Sequence, residues 1–405
     1  MKKRVCFLVD SIFTIGGVQR VTAVIAKELS KESEVTILTF DSPILHDTTL
    51  YHLNETTVSY RFFKYPQAGR IKNLLCKAYS GFFVKCKPKG SWASRIYAHS
   101  SFPSELRQPL TDELLSGHYD TIIGVHAPLA ARLATMKPRL KGARCVGWIH
   151  NSFEALFGQN SMYIGPDRQR HYIHQFRQLD EVVVLCEHDA AVYRAYDTQL
   201  NPTVIYNPLT LKPGKPSEGN TKRFLAVGRF SHQHKGFDLL IDAFRLFAQH
   251  NGDWMLDIVG EGPEEDMYRE RIAEYGLEQR ITIHPFTQHI QDYYSSAQIF
   301  VLSSRWEGFG LVLVEAMAHG LPVVSSNLPT SLEIMGPFGL YFRNGNVEEL
   351  ADKLAEATKI DWNEKSQEAM LVAKRFSMER IIPQWRKTLR LSPAASESSK
   401  KDAPR

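Results

Sequence analysis

Two carboxylates, Glu307 and Glu315, stand eight positions apart in the stretch Arg305–Gly320, R-W-E-G-F-G-L-V-L-V-E-A-M-A-H-G. The apolar run from Ile299 to Ser303 before it reads as a buried strand, and Leu321 to Ser325 after it starts another. Gly308 and Gly310 fall where the strand must turn into a helix, and Phe309 and Leu311 flank that turn. Glycines there let the backbone approach a ligand closely. Gly320, with Pro322 beyond it, is a helix stop. The helix start therefore points unpaired N–H groups at whatever lies beyond the strand ends. Eight positions is about two helical turns, so both carboxylates can face one cleft from different depths. Such a pair is either an acid and base, as in a hydrolase, or a clamp on vicinal hydroxyls, since one carboxylate accepts two hydrogen bonds at once. An ordinary exposed glutamate is the plain alternative at each position.

A second constellation is cationic. The run Arg223 to Phe230 reads as a strand that delivers Arg229 at its end, and the loop Ser231 to Gly236 delivers Lys235 before a helix from Phe237 to Gln249. Two cations six apart across a turn can converge on one diphosphate, the guanidinium forking two oxygens and the ammonium supplying a point charge. A glycine pair, Gly16-Gly17, stands between the strand Arg4–Val9 and a helix from Val21 to Leu29, where backbone N–H groups can meet an anion, an ordinary turn being the plainer reading of the pair by itself. It is not G-x-G-x-x-G. Gly260-Glu261-Gly262, after the strand beginning at Met255, imitates that fingerprint but lacks its third glycine, so an NAD enzyme is the poorer reading. His126 and His150 each close a strand, and ligands of doubly wound sheets gather at strand carboxyl ends.

The frame E-G-F-G-L-x-L-x-E-A-M-A-x-G-L-P-V-V around Glu307 and Glu315 resembles the signature of retaining GT-B glycosyltransferases, family 4 or group 1, which include the phosphatidylinositol mannosyltransferases. Gly-Arg-x5-Lys-Gly resembles the same family's donor-phosphate motif. The resemblance implies transfer of a sugar from a UDP- or GDP-linked donor to a hydroxyl of a glycan or lipid-linked saccharide, with retained configuration. It implies catalytic roles for His150, Arg229, Lys235 and Glu307. Donor contacts are implied at Gly16, Gly17, Gly260, Glu261, Phe286, Gly308, Phe309, Gly310, Leu311 and Glu315, with His126 toward the acceptor. No cofactor and no metal are expected, and no D-x-D motif closes a strand. A non-catalytic sugar-nucleotide or polysaccharide-binding module on the same fold is the alternative.

These residues need a scaffold, and the chain is long enough for two. At 405 residues, 43% hydrophobic and 23% charged, it has the composition of a globular protein of two or three domains. Alternating strands and helices occur in two successive runs, so the expected fold is α/β: GT-B, two doubly wound Rossmann-like domains with parallel sheets facing across a cleft. The expected domains are 1–207 and 208–377, with a final helix of about 378–391 crossing back and a disordered tail 392–405. A flexible connection is expected over Lys212 to Lys222, rich in Pro, Gly and Ser.

Five cysteines without C-x-x-C spacing argue against a zinc site or a disulfide framework and for a reducing cytoplasm. The apolar run after Lys2-Lys3-Arg4 ends at Asp10, too short for a signal peptide's core, and no run is long enough to span a bilayer. Between Arg61 and Arg107, ten Lys or Arg stand against Glu105 alone, interleaved with aromatics. That segment is expected to meet an anionic membrane peripherally. RNA-binding signatures are absent, and nucleic acid is not an expected partner.

Overall fold

The computed structural model describes residues 2–66, 70–86, 91–159 and 161–391. The expected tail 392–405 lies outside them, as do Lys87 and Lys89 of the basic segment. The chain forms two compact units, one of Met1–Tyr206 with Glu379–Arg405, the other of Asn207–Met378.

The first unit holds β1 (Arg4–Val9), β2 (Glu34–Thr39), β3 (Ser59–Phe62), β4 (Thr121–Val125), β5 (Arg144–Trp148), β6 (Glu181–Val184) and β7 (Thr203–Val204). They pair in the order β3-β2-β1-β4-β5-β6-β7, every neighbour parallel. Strands covered on both faces read as unbroken apolar runs rather than alternations. Val5 to Val9 of β1 are all buried, which is why that run is a central strand. Leu8, Ile122, Cys145 and Val184 meet the helix Ala127–Met136 in one core.

The second unit holds β8 (Arg223–Val227), β9 (Met255–Val259), β10 (Ile281–His284), β11 (Ile299–Leu302), β12 (Val323–Ser326) and β13 (Leu340–Phe342). Their order is β10-β9-β8-β11-β12-β13, again all parallel. Its core gathers Phe224, Phe244, Phe247 and Trp254 with Leu350 and Leu354 of the helix Val347–Ala357. Burying each such leucine contributes about 1.5–3 kcal/mol.

Several expectations change. The last strand of the first unit, Thr203–Val204, is short, and Asn207-Pro208 then leads out of the sheet, proline donating no ladder hydrogen bond. The first helix begins at Gly17, four residues earlier than its apolar spacing indicates. The expected final helix is present as Met378–Leu389, with Pro383 inside it. The connection 212–222 is irregular but pinned: Gly214 N donates to His319 Nε2 at 3.0 Å, Ser217 N to His319 O at 3.1 Å, and Ser217 Oγ to Ala297 O. A polar, Pro- and Gly-rich segment is therefore held by backbone groups that composition does not reveal. The basic segment 61–107 is largely helical, in Arg70–Cys86 and Ser91–Ser101.

Candidate active site

In a doubly wound sheet the strand order reverses at one point, and ligands bind outside the strand ends there. In the second unit that point lies between β8 and β11, and the loops leaving these two strands carry Arg229 with Lys235 and Glu307 respectively.

Lys235 closes a one-turn helix, His232–Lys235, and Gly236 follows at φ 63°. A Cβ at Gly236 would lie 2.2 Å from Ser303 O, so only glycine lets this loop lie against the end of β11. Two further bonds tie the loops: Ser303 Oγ donates to Lys235 O at 2.9 Å, and Arg305 N to His234 O at 2.7 Å. Lys235 Nζ consequently donates to Glu307 Oε1 at 2.6 Å, and Ser304 Oγ donates to the same oxygen at 2.7 Å. His234 Nε2 stands 3.7 Å from Glu307 Oε2, its ring stacked 5.2 Å from Trp306 at an interplanar angle of 7°.

Glu307 is 7% exposed. Burial by itself would raise its pKa; the charge of Lys235, with His234 beside it, outweighs burial and holds the carboxyl well below the usual range. The group is a carboxylate at any physiological pH, so it serves as a counter-ion and hydrogen-bond acceptor rather than a proton donor.

Gly310, at φ 81°, is the residue before the helix Leu311–Ala318. Leu311 begins that helix, Gly308 is half-buried, and Phe309 turns inward against Phe376 at 5.6 Å. Phe309 is thus placed to fix the loop. Glu315 lies on the buried side of the helix, 2% exposed, and Tyr294 Oη donates to its Oε2 at 2.9 Å. Arg229 is exposed, two residues past β8, with no ion pair among the described residues. Gly260 and Glu261 follow β9, where Glu261 O accepts from Phe230 N at 2.8 Å. Phe286 follows β10 with 40% of its surface exposed.

The first unit places its own candidates at the ends of β1, β4 and β5. Gly16 precedes the helix Gly17–Ser30, and its N–H donates to Tyr51 Oη at 2.9 Å. His126 caps the helix Ala127–Met136 at φ 74°, an uncommon conformation for a side chain of that size. Its ring lies 5.3 Å from that of His150, which in turn packs 4.1 Å from Trp148. Burial holds His126 down at about 4, with a hydrogen bond to Asn151 opposing, and holds His150 well below the usual range, with His126 adding to the effect. Both rings are neutral. His150 is 6% exposed and its buried Nε2 has no hydrogen-bond partner, so this nitrogen can still meet a hydroxyl.

Lys235 and Glu307 are brought into contact, as are His126 and His150, and Glu315 is held by Tyr294. His234, Ser304, Trp306, Tyr294 and Tyr51 are additions. Two of them, His234 and Trp306, adjoin Lys235 and Glu307 in the chain, and that adjacency was the only signal. Among the described residues no three His, Cys, Asp or Glu side chains converge as metal ligands.

Two all-parallel doubly wound sheets, with polar loops at the switch points, define the GT-B glycosyltransferase fold. Residues 210–373 match the family Glycosyl transferases group 1, so the second unit is a group 1 glycosyltransferase domain. The chain is 30% identical over 214 residues to an uncharacterized glycosyltransferase of Haemophilus influenzae, covering 51% of this chain and 60% of that one. It is 38% identical over 120 residues to the lipopolysaccharide core biosynthesis mannosyltransferase LpsB of Rhizobium meliloti, covering 28% of this chain and 34% of that one. The matched stretches thus span less than two thirds of either relative. In fold the chain is similar to Anabaena HepE, solved in complex with UDP and glucose (TM-score 0.73, 20% identity, 96% of this chain and 99% of that one). It is also similar to TarM (TM-score 0.74, 15% identity, 96% and 99%).

Proposed function

We propose that the protein transfers a sugar from a UDP- or GDP-linked donor to a hydroxyl of a glycan or lipid-linked saccharide, with retained anomeric configuration, in the assembly of cell-surface polysaccharide or lipopolysaccharide. The observation that carries this reading is the Lys235–Glu307 pair at the switch point of the group 1 domain. The UDP bound by HepE and the named role of LpsB support the donor and product classes.

As the donor's bond breaks, charge gathers on the leaving diphosphate. Arg229 and Lys235 supply fixed positive charge there, and the amides near Gly16 and Gly17 supply donors, with no metal in the scheme. Glu307 keeps the ammonium of Lys235 in place and offers Oε2 to the sugar side. Glu315 orients the ribose, with Tyr294 fixing its carboxylate. Neutral His150 directs Nε2 at a sugar hydroxyl. No covalent nucleophile is assigned; the acceptor attacks the face the phosphate leaves, and the phosphate takes its proton.

Incubation with UDP- and GDP-sugars should give slow donor hydrolysis, and transfer when a lipid-linked acceptor extract is added. Donor binding with no turnover on any acceptor would instead identify a binding module. Transfer should persist in EDTA. Undiminished transfer in both Lys235→Ala and Glu307→Ala would overturn the site.

The acceptor side includes a peripheral contact with anionic membrane on the cytoplasmic face. Leu75, Phe82, Trp92 and Ile96 are exposed on two helices that also expose Lys77, Lys85 and Arg95. Apolar side chains beside Lys and Arg suit a charged bilayer surface. No helix among the described residues is long and apolar enough to cross a membrane. Sedimentation with phosphatidylglycerol vesicles at low salt, lost at high salt, is the expected result; no sedimentation at low salt refutes the contact.

A further inference from the structure

The Gly16–Gly17 loop is not empty-handed. Its approach is held by Asp41, whose Oδ2 accepts from Ile12 N at 2.8 Å and Phe13 N at 3.3 Å, while Phe13 is packed among His46, Tyr60 and Phe62. The amide that a phosphate oxygen would need, Gly16 N–H, is spoken for by a side chain from outside the loop. Tyr51 Oη accepts it at 2.9 Å and donates its own proton to Thr14 O, also at 2.9 Å. Burial raises the pKa of this phenol, opposed by the Gly16 contact and by Arg20, so the hydroxyl keeps the proton it donates.

Tyr51 reaches this position through an unfavourable backbone. It and His52 adopt consecutive left-handed conformations, φ 62° and 56°, which bulky side chains rarely take singly. The segment is anchored just beyond these two residues, by buried Leu53 and by the Lys27–Glu55 ion pair at 3.0 Å to the helix Gly17–Ser30. Strain that persists only because its surroundings hold it is a mark of a functional contact.

We propose that Tyr51 is a positioning residue whose hydroxyl stands in for a phosphate oxygen on the Gly16 amide, holding the Gly16–Gly17 loop in its ligand-free form until the diphosphate of a nucleoside diphosphate sugar displaces it. The inference rests on the donor reading of that loop. Arrival of the diphosphate exchanges one acceptor for another at Gly16 N–H; no covalent bond changes. The hydroxyl is then a competitor, and its cost falls on donor affinity rather than on the chemical step.

The test uses the full chain, Tyr51→Phe, and calorimetric titration with UDP, GDP and the matching nucleosides. The phenyl ring keeps the packing, and equal melting curves establish that the variant folds. Loss of one neutral hydrogen bond in the free protein should tighten nucleoside diphosphate binding about fivefold. KM for the donor should fall with kcat unchanged, and nucleoside affinity should not move. His52→Gly relieves the backbone without touching the hydroxyl and should leave diphosphate affinity as it is. In parallel, the Gly16 amide resonance of glycine-labelled protein is followed through the titrations. A shift at Gly16 with unchanged or weaker diphosphate binding in Tyr51→Phe overturns the role of Tyr51 alone. No shift at Gly16 in either protein overturns the donor reading of the loop, and the proposal with it.

Discussion

Lys235 and Glu307 are 72 positions apart in the chain and share a hydrogen bond with both groups largely withdrawn from water. Removing one partner of such a pair leaves the other charge buried, at a cost of about 3–5 kcal/mol, whereas replacing both by apolar groups is often neutral. Lys235→Met should therefore melt well below the parent, and Lys235→Met with Glu307→Leu should recover most of the loss while remaining inactive. Thermal melts of the single and double variants check this. The pH dependence follows from the same pair. The folded carboxyl of Glu307 titrates below its ordinary value of 4.5, so its contribution to stability is complete above that value and fades as pH falls below it. In Glu307→Gln the decline of the second unit's melting temperature below pH 4.5 should be shallower than in the parent.

At the scale of elements, the loop between β8 and its helix depends on one backbone conformation. Gly236→Ala would set a Cβ 2.2 Å from Ser303 O and would also hold a left-handed φ, so it should destabilise the second unit by more than about 1 kcal/mol and displace Lys235. Denaturant melts, with donor affinity measured on the same variant, read both effects. The strands were legible where burial on both faces makes them continuous, as in Val5–Val9 and Ile299–Leu302. Two were not: β3, S-Y-R-F, is half-buried and mixed, and β13 has three residues. Both lie at sheet edges, where one side lacks a neighbouring strand and the apolar signal weakens. The helix Pro166–Phe176 escaped notice because its buried residues include Gln169, His171 and Gln175, which do not look apolar in sequence.

At the scale of the molecule, the chain leaves the first unit at Tyr206, builds the second, and returns at Glu379. The returning helix Met378–Leu389 belongs to the first unit's interior: Trp385 is fully buried 4.6 Å from Trp148, and Arg386 Nε donates to Glu32 at 2.6 Å. A chain ending at Ser377 should lose the first unit's cooperative melting while the second unit's transition persists, as differential scanning calorimetry would show. The first unit should be acid-sensitive as well, and from a higher pH. From an ordinary 6.5, burial depresses His126 and His171 to about 4 and holds His150 well below that ordinary value too. The folded state then binds fewer protons than the unfolded one, so stability is complete above pH 6.5 and is lost as pH falls toward 4. For deeply buried His171 the loss amounts to about 3 kcal/mol.

The sequence alone determined the fold class, because apolar runs and glycine turns are local properties, and it named the second unit's site candidates through the resemblance that the motifs around Glu307–Glu315 and Arg229–Lys235 carry. The meaning of the carboxylates was left open between an acid–base pair, a clamp and plain surface residues. Tertiary structure decided it against the acid and base: Glu307 is the ionised counter-ion of Lys235, and Glu315 is buried under Tyr294. The same holds for Tyr51, which nothing near it in the chain connects to Gly16. Charge pairing, burial and the occupation of an amide depend on residues brought together from distant positions, and spacing along the chain carries no information about them.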